Sequence, residues 1–229
     1  LMVDAGRRQD RATQDKHDDT LGFYTPILKG FLTEMGLEAA NLGMQVFGGH
    51  GYIHEHGMEQ IAREARIATL YEGTTGIQAL DLLGRKVLLG TRGKCVRDFS
   101  RIMLRSAKAH WLAHGAIGRM ARSTARRAIE WNLLTLRIMR RVGKDRDLVG
   151  SASVDYLMYS GYVMMAHFWA RQAAVAQACL RNGKGAESAE FYRAKIQTAE
   201  FYFDRLLPRA GAHRKSALAP TRSLMQMGN

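Results

Sequence analysis

The 229-residue sequence predicts an all-α fold, a helical bundle with an extra C-terminal helical layer. Three observations carry that expectation. The chain holds only three prolines. Arg, Ala, Leu and Met, all good helix formers, are plentiful, and the alternating Val and Ile runs that would mark strands are few. Apolar residues recur instead with the period of a helix. A chain of this length can bury a real core, and its 46% hydrophobic content is that of a globular protein rather than a disordered one.

The N-terminal stretch, "LMVDAGRRQDRATQDKHDD", is polar and has no signal-peptide core. It reads as opening partway through a helix, with further sequence expected upstream of Leu1. In "TPILKGFLTEMGLEAANLGMQVF", Thr25 reads as a cap and Pro26 as the first helical residue; Ile27, Phe31, Met35, Ala39 and Leu42 then recur on one face. "GGHGYIHEHG", residues 48–57, has four glycines and breaks that helix. A shorter helix fits Met58 to about Leu70. "TGIQALDLLGRKVLL" resumes the helical period, with Thr75 and Gln78 at the spacing of a capping box. Glycines at 84, 90 and 93 weaken it, and 90–93 is the expected boundary between domains 1–92 and 93–229. Beyond it, helical stretches are expected near 94–142, 151–182 and 186–207, the first interrupted around His114–Gly118. "VGKDRDLVGSAS" and "RNGKGAES" read as loops, and "LPRAGAHRKSALAP" as an irregular tail.

The formal net charge is +13, concentrated from Arg85 to Arg146, where seventeen Lys and Arg accompany three acids, Asp98, Glu130 and Asp145. Arg97, Arg101 and Arg105 share one helix face by their i, i+4 spacing. Such a stripe attracts polyanions such as nucleic acid, anionic lipid or a nucleotide-bearing substrate, or it is a plain solvated face. Cys95 and Cys179 lie far apart and make no metal-ligand spacing, which suits ordinary thiols in a reducing, cytoplasmic setting. No stretch approaches the roughly 20 uninterrupted apolar residues of a membrane span. His50, His54 and His56 around Glu55 do not match the His-Glu-x-x-His pattern, so no metal is expected there.

Two segments could carry chemistry. In "TLYEGTTGIQ" a single carboxylate, Glu72, precedes a helix start, whose free N–H groups and positive dipole end favour an anion or a developing negative charge. Gly73 and Gly76 lack a Cβ and allow close approach; Thr74 and Thr75 supply hydroxyls. A carboxylate buried there against an apolar ligand has its pKa raised towards the range of a general base. A capped loop without function is the plain alternative. In "QVFGGHGY", Gln45 and the glycines at 48, 49 and 51 offer backbone N–H groups that a phosphate or dinucleotide could use. No strand precedes it, so it is not a Rossmann fingerprint.

Taken together, "QVFGGHGY" and "EQIAREARIATLYEGTTGIQ" closely resemble the C-terminal helical domain of the acyl-CoA dehydrogenases, over about residues 25–86. "GIQALDLLGRKV" and "FYRAKIQTAEFYFDRLLPRA" look like the larger bacterial members with an additional C-terminal helical region. The resemblance implies FAD as cofactor, an acyl-CoA thioester as substrate, electron-transfer flavoprotein as redox partner and a homo-oligomer, dimer or tetramer. It implies that Glu72 removes the α-proton while the β-hydrogen leaves as hydride to flavin N5. The Glu72 backbone N–H then hydrogen-bonds the thioester carbonyl, and Gly73 lies beside the acyl chain. Gln45, Val46, Phe47, Gly48 and Gly49 match a segment that contacts FAD across a subunit interface, and Thr74 and Gly76 match another FAD contact. Many members have Glu or Gln where this chain has Gly76, so a side-chain contact is lost or replaced there. The family's N-terminal helical and middle β-domains have no counterpart in this sequence, so the chain reads as a C-terminal portion that is silent alone. The alternatives are a non-catalytic basic helical module that binds nucleic acid, or a region built for oligomer assembly. For the latter, Met164, Met165, Phe168 and Trp169 suit an interface, though packing into the chain's own core explains them as well.

Overall fold

The computed structural model describes residues 11–183 and 185–225, and every regular element among them is helical. The expectation for the first ten residues lies outside the described residues. Helix α1 spans Arg11–Val46 and carries Pro26 in its interior. The expected cap at Thr25 is therefore corrected: the Thr25 hydroxyl donates to the Leu21 carbonyl at 2.8 Å, one turn back within the helix. Proline removes one helical hydrogen bond at residue 26. Burial of Phe23, Ile27 and Phe31 on both sides of it holds the helix through the break. The stripe then opens: Met35 is half-buried, and Ala39 and Leu42 are exposed.

Two short 3₁₀ turns, Gly48–Gly51 and His54–His56, follow. Helix α2 spans Met58–Ala68, and α3 spans Thr75–Leu80 and continues with π-type turns over Asp81–Gly90. The widening shows in the Thr91 N–H, which donates to the Lys86 carbonyl at 3.1 Å, five residues back. Helix α4 spans Lys94–Ala109 and α5 Gly115–Val142, so an interruption is present, but it falls at residues 110–114 and most of the expected His114–Gly118 stretch is the first turn of α5. Helix α6 spans Leu148–Asn182 and takes in the second half of the expected "VGKDRDLVGSAS" loop. Helix α7 spans Ala189–Phe201 with Ser188 as its cap, and π-type turns continue to Leu206. The tail expected to be irregular instead forms α8, Arg209–Ser216. Ala210 and Ala217 are fully buried and anchor it, and Pro208 sits before the first turn, where a missing N–H costs nothing. A final turn, α9, spans Arg222–Met225.

The helices form two compact units: residues 1–92 with 149–161, and residues 93–148 with 162–229. These differ from a single cut after residue 92 in one respect, because residues 149–161 of α6 belong with the first unit.

In the first unit, Phe23, Ile27 and Phe31 of α1, Leu82, Leu83 and Val87 after α3, and Tyr156 and Leu157 of α6 are buried. Helices α1 and α6 meet through glycines. A Cβ on Gly161 would stand 2.1 Å from the Phe31 ring, and one on Gly30 would stand 2.7 Å from Leu157.

In the second unit, α4 and α5 form an antiparallel pair with an alanine seam of Ala107, Ala121 and Ala125. Phe99 meets the edges of Trp131 and His167 at centroid distances of 6.1 and 5.5 Å. Ile117 and Met120 of α5, Ala173 of α6 and Ala199 of α7 make a further cluster, flanked by Trp169, Ile196 and Phe203. Of the methionine-aromatic group, Met164 is buried, Met165 and Trp169 are half-buried and Phe168 is exposed. The buried Tyr202 hydroxyl donates to the Tyr162 carbonyl at 2.8 Å. The C-terminal stretch is tied down by Arg141 donating to the Leu218 carbonyl and by Thr221 donating to Asp145.

Candidate active-site turn at Glu72

The turn begins where α2 ends. The N–H groups of Leu70 and Tyr71 both donate to the Ile67 carbonyl, at 3.0 and 3.1 Å, and close the chain tightly. Glu72 follows with φ of 52°, a left-handed conformation rare for any residue with a Cβ, and Gly73 with φ of 95°. A Cβ on Gly73 would stand 2.7 Å from the Gln78 side-chain amide, which explains glycine there twice over. Thr74 is extended, and its hydroxyl accepts the Ile77 N–H at 3.4 Å. The cap is thus Thr74 and not Thr75, correcting the expected capping box. Thr75 is drawn away by a long-range partner: its hydroxyl donates to Glu34 of α1 at 2.5 Å. Gln78 reaches back with its amide to the Glu72 carbonyl at 3.3 Å.

Both flanks of the turn are therefore fastened to α1. The Lys29 ammonium donates to the Ala68 carbonyl and lies 5.0 Å from the Tyr71 ring centre. Glu34 holds the other side. These contacts fix the backbone and leave the Glu72 side chain exposed to whatever meets this face. Lys29, Glu34 and Gln78 as supports of the turn escape a sequence reading, because two of the three bonds link residues some forty positions apart. Gly76 has no crowding: a Cβ there would meet only the Thr74 hydroxyl, at 4.0 Å.

The second segment lies at the far end of α1. Gln45, Val46 and Phe47 are exposed, Val46 by 84%. Gly48 has φ of 60°, and neither Gly48 nor Gly49 has an atom within 4 Å of where a Cβ would stand. Gly51 is buried, and a Cβ there would stand 2.4 Å from the Met44 carbonyl oxygen. Eleven helical residues separate Glu34 from Gln45, about 17 Å along α1. The two segments are therefore not gathered into one pocket. A groove of about 670 Å³ flanks the last turns of α1, lined by Leu37, Asn41, Met44, Tyr52, Arg63 and Arg66 among others, and none of the expected site residues lines it.

The histidines of the glycine-rich stretch are engaged separately. His54 pairs with Glu59 at 3.1 Å, and His50 meets His56 edge-on at 5.2 Å. The His54 hydrogen bond, with Arg63 beside it, holds the Glu59 carboxyl below the usual carboxylate range. Among the described residues no three His, Cys, Asp or Glu side chains gather as metal ligands, and no helix is long and apolar enough to cross a membrane.

Comparison with known proteins gives this arrangement a context. Residues 4–88 match the C-terminal domain of acyl-CoA dehydrogenases, and residues 97–228 match a region described as "Acetyl-CoA dehydrogenase C-terminal like". The chain belongs to the acyl-CoA dehydrogenase family. Among individual relatives, a 3-methylmercaptopropionyl-CoA dehydrogenase of Ruegeria pomeroyi is 36% identical over 190 residues, covering 83% of this chain and 32% of that protein. The broad-specificity linear acyl-CoA dehydrogenase FadE5 of Mycobacterium tuberculosis is 30% identical over 195 residues, covering 80% of this chain and 31% of its own length. A butyryl-CoA dehydrogenase of Syntrophomonas wolfei is 32% identical over 80 residues, which is 35% of this chain and 13% of that protein. The chain thus spans about a third of the length of the first two.

Proposed function

We propose that this chain is the C-terminal portion of an FAD-dependent acyl-CoA dehydrogenase, with Glu72 as the base that removes the α-proton of an acyl-CoA thioester. The observation that carries this reading is the backbone of Glu72. A residue with a Cβ is held left-handed between two anchors on α1, where glycine or asparagine would form the same turn at less cost. Strain kept at a carboxylate that heads a helix supports a functional role for that carboxylate.

In this reading residues 1–92 form the catalytic family's C-terminal helical domain and residues 93–229 the additional helical domain. Glu72 takes the α-proton, and its backbone N–H donates to the thioester carbonyl oxygen as negative charge develops there. Gly73, with no Cβ, lets the acyl chain pass close to the turn. FAD, when bound, supplies the two-electron acceptor for the β-hydrogen, which leaves as hydride. The open glycines at 48 and 49 and the exposed Gln45, Val46 and Phe47 fit an outer contact to a dinucleotide held mainly by another subunit. Thr74 and Gly76 would face the cofactor of their own subunit. Electron-transfer flavoprotein is the redox partner this chemistry calls for, the assembly a homo-oligomer, and the location cytoplasmic. The substrates named for the relatives run from linear acyl groups to a methylmercapto-substituted one. The chain alone, at a third of their length, is expected to be inactive.

The test uses the intact protein in which this chain resides. Acyl-CoAs of several lengths are added anaerobically to flavin-loaded wild type and to Glu72→Gln. Loss of flavin absorbance in wild type and not in the variant supports the reading; bleaching at equal rates in both removes Glu72 as the base. A second reading, a basic module for nucleic acid, rests on Arg97, Arg101 and Arg105 standing exposed along α4. Arg101 already pairs with Asp98 at 2.6 Å, which weakens it. Steeply salt-dependent binding of duplex DNA would favour it.

A further inference from the structure

The second unit carries a groove of about 390 Å³ between α6 and α7, separate from the Glu72 turn and argued independently of it. Its volume lies in the range of small-molecule sites. Phe168, Arg171, Gln172, Val175 and Ala176 fall on one face of α6 by their spacing and line one wall. Three large apolar side chains stay in solvent there: Phe168 is 39% exposed, Val175 62% and Phe191 42%. Ala170, Ala173 and Ala174 of α6 belong with Ile196 and Ala199 of α7 to the apolar cluster of this unit, whereas Phe191 and Tyr192 stand in the first turn of α7.

The charged groups of the groove are of one sign. Arg171 and Lys195 line it, and no acid does. The Lys195 ammonium lies over aromatic faces, 5.4 Å from the Phe191 ring centre and 5.7 Å from that of Trp169. The Tyr192 hydroxyl oxygen accepts the Glu187 N–H at 3.3 Å, which leaves its own proton to donate. The short connection from Asn182 to Ala189 sets α6 and α7 antiparallel, as the contact of Lys195 with Trp169 requires. On α6, Arg171 and Gln172 precede Val175 and Ala176 by one turn, and on the α7 side Lys195 stands over Phe191. Along α6 the wall thus passes from a cation and an amide to apolar side chains, with the Lys195 ammonium beside them.

We propose that this groove binds a single-chain amphiphilic carboxylate of medium length. Its tail lies along Val175 and Ala176, and its carboxylate meets Arg171, Lys195 and the Gln172 amide. The wall from Phe168 to Ala176 is about 12 Å long, which sets the length of the whole amphiphile, headgroup and tail together. A stable protein partner would need to bury about 1,000 Å² or more, and three exposed apolar side chains do not supply its centre.

Calorimetric titration of the chain with decanoate, kept below micelle formation, tests this. Saturable binding of one decanoate is expected, with decanol bound at least about tenfold more weakly, since hydrogen bonds to a charged group are the strong ones. The Arg171→Gln, Lys195→Gln double variant should lose about tenfold for decanoate and little for decanol, and Val175→Glu should weaken both. Thermal unfolding checks that each variant is folded, with Lys195→Gln alone as the milder substitute. Absence of saturable binding, equal affinity for decanoate and decanol, or undiminished binding by the folded double variant would overturn the proposal. So would binding to anionic phospholipid vesicles without binding to monomeric decanoate, which would make the face a bilayer contact.

Discussion

At the scale of single residues, Glu72 and His167 set local cost against the environment in opposite ways. Glu72 holds φ of 52° in an exposed turn, at a cost of about 1–2 kcal/mol relative to a residue without Cβ. Glu72→Gly is therefore expected to raise stability by about 0.5–1 kcal/mol after the entropy of the added glycine is allowed for. Urea unfolding checks it, and a variant no more stable than wild type would mean the turn carries no strain. His167 is 1% exposed, between the rings of Phe99 and Phe168, and its Nδ1 has no hydrogen-bond partner among the described residues. Burial, with Arg171 nearby, pushes its pKa down to about 4. The unfolded chain, near the ordinary histidine value, thus binds the proton more readily. Stability is fully present above about pH 6.5 and is lost as pH falls towards 4. The loss between pH 7 and pH 5 is expected to be about 2 kcal/mol from this residue. His167→Gln should flatten the slope of unfolding free energy against pH by that amount. An unchanged slope would show that His167 does not titrate with unfolding.

At the scale of elements, glycines decide where helices cross. Gly161→Ala would drive a methyl into the buried Phe31 ring and is expected to cost about 1–3 kcal/mol, read as a lowered melting temperature. Gly150→Ala, on the same helix with nothing within 4 Å, should be neutral or stabilising by up to about 1 kcal/mol. If the two variants melt alike, the crossing is not as tight as the geometry requires. Helix α2 could be read from the sequence almost to its ends, because the Gly57 before Met58 and the periodic residues after it are local signals. The Thr25–Pro26 boundary could not, since tertiary burial of Phe23 and Ile27 outweighs the local break. Helix α8 was hidden because the stretch that follows it is held by residues distant in sequence, Arg141 on the Leu218 carbonyl and Asp145 on Thr221. The site divides along the same line. The order of residues around Glu72 marks the turn, but its left-handed backbone and its anchors at Lys29 and Glu34 depend on contacts with α1 that no local pattern reveals.

At the scale of the molecule, the positive charge is less free than its total suggests. Arg126 and Arg127 both engage Glu130, whose carboxyl they hold below its usual range although burial acts to raise it. Arg119 reaches Glu200 at 2.9 Å. The exposed partners among these, Arg119 and Arg126, contribute little stability each, so their removal should alter salt dependence more than melting. The partition of α6 has a larger consequence. Residues 1–92 produced alone would lack the 149–161 segment that completes their core, and are expected to show no cooperative melting transition by circular dichroism. A transition as sharp and as high as that of the full chain would refute this.

The same partition orders events on the ribosome. When Arg92 leaves the exit tunnel, the faces of Phe23, Ile27 and Phe31 still await Leu157 and Gly161, about seventy residues behind. At ordinary rates of synthesis that wait lasts roughly 3–14 s. For that interval the nascent chain shows an oily surface to solvent, which is a natural landing place for a chaperone.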